Sequence, residues 1–160
     1  MAEPSEAESS ASERIDVDAG IYVDSSALAK LYVPEADSEA VDDFLRGRRG
    51  LMISDLAITE VLSAVARRKR DGELSSKQSR AIHDAVLDDA HSGSFTRLDL
   101  NPEVHRDAER LLFATDSASL RTLDALHLAL AFSGRASHLL TFDRRMAAAA
   151  AEAGLDVVQL

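Results

Sequence analysis

The chain contains no cysteine. That absence removes disulfides, thiolate metal sites and cysteine nucleophiles together, and it fits a reducing, cytoplasmic setting. Any metal would have to be held by oxygen or histidine. Aromatic residues make up only 4% of the 160 residues, so the core must come from Leu, Val, Ile and Ala; a hydrophobic content of 46% is enough for one domain. No run of roughly 18 apolar residues occurs, and the acidic amino terminus has no apolar stretch of signal-peptide type, so neither a membrane span nor a secretory signal is expected. No glycine-rich phosphate loop and no Ser/His/Asp order is present, which leaves nucleotide-kinase and serine-hydrolase chemistry without support.

Positive charge is scarce as well. Eighteen Lys and Arg face 28 Asp and Glu, for a net charge of −10. Residues 1–18 hold six acids and one base, a net of −5, so half of the imbalance lies in this leader. The leader is Ala, Ser and Glu with few large apolar residues, a composition expected to be disordered, with the folded domain spanning residues 19–160. A mildly acidic domain is an unusual footprint for binding phosphate unless basic groups cluster or a metal ion supplies positive charge.

What the chain does have is a stretch at Ile21-Tyr22-Val23-Asp24-Ser25-Ser26-Ala27-Leu28, a buried-strand pattern running into an acid and then into a helical pattern. Such a strand delivers Asp24 to its carboxyl end, where open parallel sheets place their ligand sites. Further strands are expected at 51–53, 95–98, 138–142 and 156–160. Helices are expected at 25–33, 37–45, 55–70, from Ser75 or Ser76 to about 91, from 102 to near Thr115, 123–132 and 144–153, with Ser54, Asn101 and Thr122 as caps. Strands alternate with helices throughout, which implies parallel pairing, right-handed crossovers and helices on both faces of the sheet.

In that order, four carboxylates fall at comparable places. Asp24 ends the first strand, Glu60 lies in the second turn of the helix after the second strand, Asp124 is in the first turn of the helix after Thr122, and Asp143 follows the fourth strand. Singly, each aspartate reads as a helix cap or dipole partner. Together they would crowd one crevice, repel one another and raise each other's pKa unless a cation sat among them. Hard oxygen donors without thiolates suit Mg²⁺ or Mn²⁺.

The segments Val23-Asp24-Ser25-Ser26-Ala27-Leu28-Ala29-Lys30-Leu31-Tyr32, Ile58-Thr59-Glu60-Val61, Leu123-Asp124-Ala125-Leu126-His127-Leu128-Ala129 and Leu140-Thr141-Phe142-Asp143-Arg144-Arg145 resemble the successive motifs of PIN-domain ribonucleases, specifically VapC toxins of toxin–antitoxin pairs. The resemblance spans about residues 20–160. It implies a three-layer α/β/α sandwich with a mainly parallel sheet and Mg²⁺-dependent cleavage of RNA. It further implies an acidic quartet of Asp24, Glu60, Asp124 and Asp143, with Asp24, Asp124 and Asp143 holding the metal and Ser25 and Thr141 in support. A VapB-like antitoxin and a homodimer are implied as partners. The acidic leader lies outside the family pattern.

Basic residues are grouped at Arg46, Arg48 and Arg49, at Arg67 to Arg70, and at Arg144 and Arg145. The pair at 144 and 145 adjoins Asp143 and is expected to contact the RNA backbone; the run at 67–70 reads first as a complement to its helix dipole. His127, one turn after Asp124 on an apolar helix, reads as a hydrogen-bonded core histidine. The competing functional reading is an acidic binding or regulatory module of the same fold without catalysis.

Overall fold

The computed structural model describes residues 14–114 and 120–160. Residues 1–13 of the expected leader, and the helix end expected near Thr115, lie outside them. The chain runs β1 (Ile21–Val23), α1 (Ser25–Leu28), a 3₁₀ turn (Ala29–Leu31), α2 (Ser38–Leu45), β2 (Leu51–Ser54), α3 (Asp55–Arg70), α4 (Ser76–His91), β3 (Thr96–Leu98), α5 (Pro102–Ala114), α6 (Thr122–Ser133), β4 (His138–Leu140), α7 (Arg144–Glu152) and β5 (Asp156–Val157). All five strands are parallel, in the order β3-β2-β1-β4-β5, with Ile21 opposite both Leu51 and His138.

The alternation of side chains along a strand builds the three layers. On β1, Ile21 and Val23 enter one core with α1 to α4, while Tyr22 enters the opposite core with α5 to α7. On β4, Leu140 and Leu139 divide in the same way. Helix α6 is buried from Asp124 to Ala131, in keeping with its nearly continuous apolar sequence. The α/β/α sandwich expected from the order of elements is therefore the architecture found.

Several boundaries differ for local reasons. The helix expected at 25–33 is a single α-turn followed by the 3₁₀ turn. Strand β4 ends at Leu140, not 142, because Thr141 and Phe142 leave the sheet to bond to Asp24 and Ser26. Ser54 and Asn101 cap α3 and α5 as expected, accepting from Ala57 N and from Glu103 N and Val104 N. Thr122 does not cap α6: Arg121 holds the cap position, and the Asp124 carboxylate accepts its N–H at 3.1 Å.

Residues 14–18 are also ordered against the domain. Ile15 packs on the first core, Arg48 Nη1 donates to the carbonyls of Ile15 and Asp16, and Arg49 pairs with Asp18 at 2.6 Å. The chain crosses Gly50 so closely that a Cβ there would fall 2.1 Å from the Ala19 carbonyl oxygen. The basic turn thus binds the end of the acidic leader.

Candidate active site at the carboxyl ends of the strands

Asp24 leaves β1 and starts α1, and it is only 1% exposed. Its Oδ1 accepts from Ala27 N at 3.0 Å and from Ser26 Oγ at 2.7 Å, and its Oδ2 accepts from Thr141 Oγ1 at 2.6 Å. A hydroxyl from the first turn of α1 and one from the loop after β4 therefore clasp the carboxylate. The same hydroxyls accept from the following backbone: Phe142 N donates to Ser26 Oγ at 2.9 Å, and Asp143 N to Thr141 Oγ1 at 3.1 Å. Burial pushes the Asp24 carboxyl above its ordinary range, and the bonds from Thr141, Ser26 and Ala27 only partly offset this.

Asp143 is exposed beyond β4 and caps α7, its Oδ1 accepting from Arg145 N at 2.8 Å and Met146 N at 3.2 Å. Asp124 is 8% exposed and uses its Oδ2 on the Arg121 N–H. Glu60, partly exposed on α3, reaches across to α6: its Oε2 lies 2.6 Å from His127 Nε2. A Ser25 hydroxyl also bonds to it. Glu60 is thereby tied to the residue after Asp24 and to the residue one helical turn after Asp124. Burial raises the Glu60 carboxyl, but the hydrogen bond from His127 and its electrostatic interaction, with the Ser25 bond, outweigh it and leave the group below its ordinary range.

Local bonding explains most of what each aspartate does in this geometry. Among the described residues, no three His, Asp or Glu side chains come together as a chelating group. The crowding expected among the carboxylates is not what perturbs Asp24; desolvation is the largest cause, and no other acid contributes. In kind, however, carboxylate and hydroxyl oxygens suit a hard divalent cation, and the buried Asp24 carboxylate has no salt-bridge partner among the described residues.

Ser25, expected to support the acidic quartet, bonds to Glu60; Ser26, not singled out in the sequence, bonds to Asp24. The usable signal was the hydroxyl two residues after an Asp that leaves a strand, the spacing of an Asx-type turn. Thr141 does bond to Asp24. Tyr22 and Ser54 behind His127 carried no signal of that role, since Tyr22 reads as a strand residue and Ser54 as a helix cap. Arg144 is exposed and Arg145 half-buried beside Asp143. Of the other basic groups, Arg46 is engaged with Asp42 and Asp43, and Arg68 with Glu35 and Glu73.

The family model described as PIN domain matches residues 21–152, from β1 to the end of α7. The chain is 35% identical to the ribonuclease VapC46 of Mycobacterium tuberculosis, over 88% of this chain and 97% of that protein. This chain belongs to the VapC family of PIN-domain ribonucleases. It is also 34% identical to the ribonuclease VapC35 of the same species, over 86% of this chain and 95% of that protein. The crystal structure of Mycobacterium tuberculosis VapC20, a sarcin–ricin-loop-cleaving toxin, superposes with a TM-score of 0.65 at 18% identity, over 81% of this chain and 94% of that one, and shows the same fold. The motifs that resembled a PIN domain in the sequence all fall inside the matched region, and the strand ends they occupy are those just described.

Proposed function

We propose that this PIN domain is the toxin of a type II toxin–antitoxin pair and an Mg²⁺-dependent endoribonuclease. The observation that carries the reading is the Asp24 carboxylate, buried and clasped by Ser26 and Thr141 at the carboxyl ends of adjacent parallel strands. A buried anion of this kind is costly as a mere cap and useful as the anchor of a cation. Asp24, Asp124 and Asp143 would hold Mg²⁺, with Mn²⁺ as a substitute. When bound, the ion supplies a positive centre for the scissile phosphate and for the charge that develops on it.

The chain's own groups do the rest. Hydrolysis forms a bond from a water oxygen to phosphorus, releases one proton from the water and breaks a P–O ester bond, whose leaving oxygen departs with the bonding pair and takes a proton from solvent. Glu60, ionised at neutral pH and at the edge of the cleft, accepts the proton of the attacking water. Arg144 and Arg145 bind the flanking phosphates. The acidic crevice also suits an inhibitory Arg or Lys from a VapB-like antitoxin. A homodimer belongs to the same reading.

The test is cleavage of total cellular RNA by the purified protein in Mg²⁺, in chelator, and in chelator followed by excess Mn²⁺. Cleavage should require metal and fall by about a hundred-fold or more in Asp24→Asn and Glu60→Gln. Replacing Arg144 and Arg145 by Ala should raise KM, whereas Arg46→Ala and Arg49→Ala should leave cleavage unchanged. Metal-independent cleavage, or full activity of Asp24→Asn, would overturn the reading in favour of an acidic binding module.

A further inference from the structure

Behind Glu60 lie a histidine and a tyrosine that the hydrolysis above does not use. His127 is 1% exposed and Tyr22 is fully buried. Tyr22 Oη is 2.7 Å from Ser54 Oγ and 2.8 Å from His127 Nδ1, and His127 Nε2 is 2.6 Å from Glu60 Oε2. Side chains from β1, β2, α6 and α3 therefore form one continuous chain of hydrogen bonds that starts in the core and ends at the site.

The donors in that chain can be ordered by elimination. An ionised Glu60 only accepts, so Nε2 must carry a proton. A neutral imidazole then accepts at Nδ1, and the donor facing it is the Tyr22 hydroxyl. The Tyr22 oxygen in turn accepts from Ser54, whose own Oγ accepts the Ala57 N–H. Every polar atom is satisfied with neutral groups up to Glu60. A doubly protonated His127 would reverse the Tyr22 bond and leave the Ser54 hydroxyl proton without an acceptor among the described residues.

Packing alone does not require this arrangement. Position 127 sits in the run Ala125-Leu126-His127-Leu128-Ala129-Leu130, where a leucine would fill the core with nothing polar to satisfy. The polar chain ends on the one acid of the site that is not used as a helix cap.

We propose that Ser54, Tyr22 and His127 are positioning residues: they lock His127 as the neutral Nε2–H tautomer, which holds the Glu60 carboxylate in the single orientation from which it accepts the proton of the attacking water. The proposal rests on the role given to Glu60 above. Partners that orient a reacting group from behind act on turnover more than on substrate binding.

The experiment compares wild type, Asp24→Asn, Tyr22→Phe, His127→Leu and His127→Gln by steady-state cleavage of a fluorogenic RNA in Mg²⁺, with thermal melts and ¹⁵N NMR of the histidine rings. Tyr22→Phe and His127→Leu should lower kcat by about ten- to a hundred-fold while KM stays within about twofold. His127→Gln, whose amide N–H can replace Nε2–H, should recover about ten-fold or more of the loss seen in the leucine variant. The NMR shifts of wild type should show His127 as the neutral Nε2–H form. Unchanged kcat in Tyr22→Phe, a glutamine variant no better than leucine, or an Nδ1–H ring would overturn the proposal. If His127→Leu fails to fold, Tyr22→Phe decides. If wild type cleaves no more RNA than Asp24→Asn, the ribonuclease reading fails, and the ring tautomer still tests the hydrogen-bond chain by itself.

Discussion

Burying an ionised carboxylate costs free energy unless a cation or hydrogen bonds replace the water it loses. Asp24 is such a group, and its bonds from Thr141, Ser26 and Ala27 do not fully offset its burial. Its folded pKa therefore lies above the ordinary 3.8. The sign follows: stability is greatest below the ordinary carboxyl pKa and is lost as pH rises through the raised value. At neutral pH without metal, the charge on Asp24 destabilises the fold. Asp24→Asn removes that charge at nearly constant shape. In chelator at pH 7 the variant should melt above wild type, by about 2–4 °C if the gain is about 1 kcal/mol, and the gap should close toward pH 4. A variant that melts no higher than wild type at pH 7 would contradict this. Asp124→Asn should change little, because an amide oxygen can also accept the Arg121 N–H.

At the scale of elements, the site is made by two strand ends that stop early. Ser26 Oγ donates to Asp24 and accepts from Phe142 N, so one hydroxyl joins the first turn of α1 to the loop after β4. Ser26→Ala removes both bonds and should cost about 1–3 kcal/mol, seen as a lower urea midpoint with an unchanged slope. A midpoint equal to wild type would show that the two segments hold their places without it. The periodicities that place strands and helices are local, which is why β1, α3, α4, α6 and the capping roles of Ser54 and Asn101 could be read from the sequence. The end of β4 at Leu140 depends on partners more than 100 residues away in the chain, whereas the Ser26 bond to Asp24 is local. His127 was readable as a hydrogen-bonded core residue, but its partners Tyr22 and Glu60 come from other elements and leave no mark at position 127.

For the whole molecule, a net charge of −10 argues against an affinity built on basic side chains. The structure sharpens the point, since Arg46 and Arg49 are paired with acids of the same chain and Arg48 holds the backbone of the leader. The pairing of Arg49 with Asp18, 31 residues apart, has no local sequence pattern, whereas Arg46 with Asp42 and Asp43 is a local i,i+3 and i,i+4 arrangement. Apart from Arg144 and Arg145, positive charge at the strand ends would come from the cation proposed above. Mn²⁺ added below one equivalent to ¹⁵N-labelled protein reports the location of the cation directly, because a paramagnetic ion broadens nearby amide signals. The amides of Ala27, Phe142 and Asp143 should broaden first, those of Lys77 and Asp84 on α4 should stay sharp, and Asp24→Asn should abolish the effect. Broadening centred elsewhere, or undiminished in Asp24→Asn, would contradict a metal centre at Asp24.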